Sequence, residues 1–155
     1  MGQGPDSASL MAEAAELVFP RFDETTAYLL GTAVVEMAID AGLPVVADIR
    51  NANRMFFHAA LPGSAALNDK WVQRKSATCL LFQEASLLVG TRNREKGESL
   101  AKHGLSGEDY ADHGGAVPIS VAGVGMVACL TVSGLPQVED HRLAVRALRA
   151  VLERL

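Results

Sequence analysis

Residues 123–142, GVGMVACLTVSGLPQVEDHR, decide how this chain is read. Val124 to Val132 is a continuous apolar run rich in β-branched and small residues, of the length of a buried strand. Ser133-Gly134-Leu135-Pro136 ends it, because Gly and Pro supply the backbone angles of a tight turn. A helix follows, with Glu139, Asp140, His141 and Arg142 in its first turn, where the macrodipole favours acidic groups. A strand end beside a helix start exposes backbone N–H groups and charged side chains to one ligand. Ser133, Asp140, His141 and Arg142 are therefore the first candidates for chemistry.

Working outward, Ala116 to Val121 is a second apolar run separated from the first by Ala122-Gly123, which predicts a hairpin. The chain closes on a helix from about Val138, with Leu143, Ala144, Ala147, Leu148, Val151 and Leu152 on one face. Toward the N-terminus, residues 1–9 read as a loose tail and 10–155 as one domain. Leu10 to Val18 is a short helical candidate ended by Pro20. Asp23 caps a long helix that carries Ala27, Leu30, Val34, Met37 and Ala38 and stops at Gly42 and Pro44. Val45 to Ile49 and Met55 to Leu61 form another hairpin, with Asn51 or Asn53 expected at positive φ. A helix capped by Asn68 or Asp69 carries Trp71, Val72, Lys75, Thr78, Cys79 and Phe82 to about Ser86. Leu87 to Gly90 either prolongs it or is extended. Thr91 to Gly115 reads as a polar surface excursion with at most a short helix near Glu98 to His103. Hairpin-linked strands and segregated helices predict an α+β domain with a mostly antiparallel sheet flanked by helices.

The 155 residues are 49% apolar and 21% charged, enough for one unaided core. A formal charge of −4 argues against nucleic acid and anionic membrane as partners, which need a basic face. No apolar run approaches the roughly 20 residues of a membrane span, and the N-terminus lacks the basic start and apolar centre of a signal peptide. Cys79 and Cys129 stand in apolar surroundings without ligand spacing, so they read as small buried hydrophobes in a reducing, cytoplasmic setting.

Trp71, Arg74 and Lys75 share a helix face at i, i+3, i+4, where two cations beside an aromatic wall can clamp a carboxylate. Tyr110-Ala111-Asp112-His113-Gly114-Gly115 offers an imidazole next to a carboxylate, and two glycines that permit close backbone approach or a sharp turn. Asp140 and His141 are neighbours on a helix and point about 100° apart, so the first does not orient the second. Ser133 is no nucleophile elbow, since Thr131 and Leu135 stand where glycines are required. Gly123-Val124-Gly125 lies between strands and is a turn, not a phosphate loop. His58, in an apolar run, reads as a satisfied core histidine. The four histidines show no zinc spacing, so no metal is expected.

VVADIRNANRMFFHAALPGS (45–64), NDKWVQRKSAT (68–78), DYADHGGAVPI (109–119) and residues 123–143 resemble, in that order, the haem-degrading-domain superfamily. That superfamily includes the GlcG-like and HbpS-like proteins, and the motifs SGLPQxEDH and YAxHGG are specific to a subgroup of small single-domain members. The resemblance spans about Glu13 to Leu152. It implies a profilin-like or PAS-like layered sandwich, homo-oligomers, and a possible haem cofactor. The signature positions matched here include Asn68, Asp69, Trp71, Arg74, Lys75, Tyr110, His113, Gly114, Gly115, Ser133, Gly134, Asp140 and His141.

The leading functional expectation is a small-molecule-binding protein, with haem or another tetrapyrrole as one ligand class. Asp69, Trp71, Arg74, Lys75, Gly114, Gly115 and Ser133 would contact the ligand. The alternatives are an enzyme using His113 or His141, with Asp140, as acid/base on a small carboxylate, and an oligomeric scaffold whose signature residues build contacts.

Overall fold

The computed structural model describes residues 4–155. Its helices are α1 (Ser7–Glu16), α2 (Glu24–Ala41), α3 (Ala66–Phe82), α4 (Ser86–Lys96) and α5 (Gln137–Leu152), with a 3-10 turn at Leu100–His103. Its strands are β1 (Val18–Phe19), β2 (Val46–Arg50), β3 (Met55–Ala60), β4 (Ala116–Val121) and β5 (Gly125–Ser133). They form one sheet in the order β1-β4-β5-β2-β3. The β4–β5, β5–β2 and β2–β3 pairs are antiparallel, and β1 lies parallel to β4. The expected α+β class and mostly antiparallel sheet are thus observed.

Strand alternation builds the layers. On β5, Ala128, Leu130 and Val132 join the main core with Leu30, Val34, Ala144 and Leu148 of α2 and α5. The intervening Cys129 and Thr131 face α3, where Cys129 packs with Cys79 and Thr131 bonds Ser76 at 2.8 Å. Both cysteines are free and buried, as the sequence suggested. Helix α2 is held by a capping box, with Asp23 accepting from the Thr26 N–H at 3.0 Å and Thr26 Oγ1 accepting from the Asp23 N–H at 3.2 Å. Gly42 closes it at φ 65°. Among the described residues no helix is long and apolar enough to cross a membrane.

Several local expectations need correction. Of the supposed tail, residues 1–3 lie outside the described residues, while Ser7 to Ser9 begin α1 under an Asp6 cap. Val18 is not helical. It pairs with Ser120 in a two-residue strand too short to show a period. The Asn51 turn uses no positive φ; the Asn51 side chain accepts from the Asn53 and Arg54 N–H groups instead, at 2.8 and 3.0 Å. Helix α3 begins after Ala65, whose N–H donates to Asn68 Oδ1 at 2.9 Å. It ends at Phe82, because Gln83 takes the left-handed conformation at φ 58°. The largest correction is α4, which occupies the start of the supposed excursion and buries Leu87, Leu88, Val89 and Gly90.

Candidate functional site

The site is assembled around one buried cation. Lys75, 2% exposed, points from α3 to where β5 ends and α5 begins. Its Nζ donates to the carbonyls of Gly114 and Val132, both at 2.9 Å, and to Asp140 Oδ2 at 3.1 Å. An ammonium has three protons, so none remains for a ligand. Asp140 is equally occupied: Oδ1 accepts from the Leu135 N–H at 2.9 Å and Oδ2 from the Gly134 N–H at 3.4 Å. Burial pushes the Lys75 ammonium below its ordinary value, against the pull of Asp140. Burial likewise pushes the Asp140 carboxyl up, against Lys75 and the two N–H donors. The pair is a brace that fixes the turn Ser133–Pro136 on α3.

The two glycines expected to approach a ligand approach this brace. Gly115 has φ 143°, and a Cβ there would stand 2.3 Å from the Val132 oxygen and 2.6 Å from Lys75 Nζ. Gly114 lies against α5, where its N–H donates to Gln137 Oε1 at 2.9 Å. That docking leaves His113 at the edge of the loop, its ring 5.1 Å from Trp71 in an edge-on arrangement. On Trp71 the Arg74 guanidinium sits 4.4 Å above the ring, while Arg74 Nε donates to the Gly107 carbonyl at 2.9 Å.

Between these groups opens a pocket of about 280 Å³, lined by Trp71, His113, Ser133 and Gln137, with Asn68 at its rim and the Lys75–Asp140 brace beneath. The His113 imidazole is half-exposed and stands 3.9 Å from Asp112 Oδ1, too far for a hydrogen bond. Burial chiefly, with smaller contributions from Arg94, Lys75 and Arg74, holds it below its ordinary value despite Asp112. The pocket therefore offers an imidazole that burial holds toward its neutral form, an indole edge and side-chain amides.

Of the sequence candidates, Trp71, Lys75, His113, Ser133 and Asp140 come together here. Gly114 and Gly115 do not line the pocket but pack on Gln137 and the brace beside it, and Arg74 backs Trp71. Asp69 does not join them: it sits in the first turn of α3 facing β3, where Oδ1 lies 2.9 Å from His58 Nε2. His141 also points away, into a different pocket, with Nε2 2.6 Å from Glu13 Oε1. Arg142 is exposed and pairs with Glu139 at 3.0 Å.

Sequence reasoning missed Gln137, Glu13 and Asp48. Gln137 lies inside the quoted motif and was legible only as part of it. Asp48 is fully buried in β2, gripped by Arg50 through two bonds of 2.7 Å and by His58 Nδ1 at 2.7 Å. His58 is satisfied as expected but is not a core histidine, since it is exposed on the edge strand β3 between two carboxylates. Among the described residues no cluster of three or more His, Cys, Asp and Glu groups could hold a metal.

Comparison with known proteins follows the same lines. A UPF0303 protein of Streptomyces coelicolor is 49% identical over 145 residues, covering 93% of this chain and 92% of that one. The crystal structure of the Ybr137w protein superposes with a TM-score of 0.88 at 33% identity, covering 98% of this chain and 90% of that one. A crystal structure of a PduOC–heme complex shares the fold, with a TM-score of 0.71 at 21% identity, covering 83% of this chain and 94% of that one. The family model described as haem degrading protein HbpS-like matches residues 22–149, and the chain belongs to that HbpS-like family.

Proposed function

We propose that this chain is a small-molecule-binding protein and that its ligand is a small carboxylate-bearing compound seated between Trp71 and His113. One observation carries the reading. The Lys75–Asp140 brace uses two buried charges to fix the Gly114 loop and the Ser133–Pro136 turn on α3, and the pocket beside it is polar rather than filled. Lys75 and Asp140 act as supports, while His113, Gln137, Ser133 and the Trp71 edge are left to meet a ligand. Arg94, Lys75 and Arg74 lie close enough to act on His113 and would favour an anion there, against Asp112. Trp71 is the chain's single tryptophan, so its fluorescence reports on this pocket alone. Titration with acetate, pyruvate and succinate should give a saturable change for at least one, lost in His113→Ala.

Haem is the second reading, supported by the family description and by the heme complex of the PduOC neighbour. The residues of one chain do not fit an enclosed haem. Both His58 nitrogens face carboxylates, at 2.7 and 2.9 Å, and His141 Nε2 is taken by Glu13. His103 packs edge-on against Phe82, and His113 opens on a small polar pocket rather than an apolar slot. Hemin titration followed at the Soret band tests it: a saturable shift that disappears in His113→Ala would support haem at the open pocket.

The reading includes a homo-oligomer in the cytoplasm. Phe56 packs on Phe22 at 5.4 Å and Phe57 against Gly31 of α2, so both are used within the chain rather than for subunit contacts. Support comes instead from β3, a sheet edge beside the exposed Met55 and Tyr28. Light scattering should give a multiple of 16.4 kDa.

A further inference from the structure

His141 was grouped by sequence with Asp140, yet it serves a second pocket of about 280 Å³ formed by α1, the α3–α4 corner, β4 and α5. The walls are largely apolar: Leu10 and Leu17 from α1 and its end, Leu88 from α4, Val117 and Pro118 from β4. Two carboxylates, Glu13 and Glu84, line it, and among the described residues no Lys or Arg does. Glu84 is neutralised by Arg92 through bonds of 2.7 and 3.1 Å. Glu13 is not. Its nearest cation is Arg149, whose Nη2 stands 4.0 Å from Oε2, beyond hydrogen-bond reach.

The imidazole fixes the geometry of this pair. His141 Nδ1 is buried and has no hydrogen-bond partner, the only such side-chain atom among the described residues. A proton there would be an unsatisfied buried donor, so the ring carries its proton on Nε2 and donates it to Glu13 at 2.6 Å. That bond occupies Oε1 and leaves Oε2 without a hydrogen-bond partner among the described residues, half-buried at the edge of an apolar cavity. Such a group is matched by a cation with N–H donors and a hydrocarbon body. Its volume lies at the small end of ligand pockets, which run from about 300 to 1,000 Å³, and suits a single ring.

We propose that this pocket binds a small apolar primary amine, with the ammonium on the Glu13 carboxylate and the hydrocarbon against Leu10, Leu17, Leu88 and Val117. The site is separate from the Trp71 pocket and does not depend on the function proposed there.

The test uses the full chain, ¹H–¹⁵N spectra and three probes of one size: phenethylamine, 2-phenylethanol and phenylacetate. Phenethylamine should shift resonances around Leu88 and Val117 saturably and leave Trp71 emission unchanged. The alcohol should bind about tenfold more weakly, as loss of a charge-assisted bond requires, and the acid not at all. Glu13→Gln should weaken the amine to the level of the alcohol. Because that variant also alters the His141 bond, Ala14→Trp provides a second check: Ala14 is an exposed α1 residue lining the pocket, and the indole should block amine and alcohol alike. Equal binding of amine and acid, amine binding that survives Ala14→Trp, a concurrent change in Trp71 emission, or no saturable shift would each overturn the proposal.

Discussion

Lys75 Nζ and Asp140 Oδ2 stand 3.1 Å apart with both side chains sealed from solvent, and this contact ties α3 to the first turn of α5. Removing one partner strands the other charge. Lys75→Met should therefore cost about 3–5 kcal/mol in urea unfolding, and Lys75→Met combined with Asp140→Leu should recover part of it. A single-variant cost below about 1 kcal/mol would mean that the pair carries no more than an exposed ion pair does.

Gly115 is required by space as well as by its φ of 143°. Gly115→Ala drives a methyl into the Val132 oxygen and Lys75 Nζ, whereas Gly104, at φ 74°, has nothing within 4 Å of its missing Cβ. Gly104→Ala should cost about 1–2 kcal/mol, the ordinary expense of left-handed backbone. Gly115→Ala should lower the melting temperature markedly more. Equal losses would contradict the close packing of the loop on the brace.

The fold was legible where one period ran undisturbed. The apolar run of β5, the Asp23 cap and the α5 face are local signals, and each element stands within a residue or two of its expected place. Helix α4 was not, because its buried residues crowd into the first half and Gln83 breaks α3 without a glycine or proline to mark the stop. In the site, residue types were legible and their partners were not. Sequence marks Lys75 and Asp140 as able to meet a ligand; only the fold shows that they meet each other. Asp69 and His141 left the site for the same reason, each drawn to a partner 11 or 128 residues away.

Glu13 gives the chain an acid-sensitive contact. The hydrogen bond from His141, with a smaller pull from Arg149, lowers its value below the ordinary 4.5. The unfolded chain then binds the proton more readily than the folded one, so the contact stabilises above pH 4.5 and is lost as pH falls through the folded value. The stability gap between the natural chain and Glu13→Gln should shrink on acidification over that window. A gap that is constant or widens would contradict the pairing.

His113 should titrate below the ordinary histidine range, because burial and then the neighbouring cations disfavour its charged form. By NMR its midpoint should rise in Arg74→Ala or Arg94→Ala. It should also rise when an anion occupies the pocket. A midpoint that is ordinary in the free protein and indifferent to these changes would remove the neighbouring cations from the account.

The claim that the Trp71–His113 pocket receives a small carboxylate is tested most directly by Trp71 emission during titration with acetate, pyruvate and succinate. The account predicts a saturable change with at least one acid, absent in a folded His113→Ala variant. Emission that stays flat with all three, or a change that persists without His113, would contradict it.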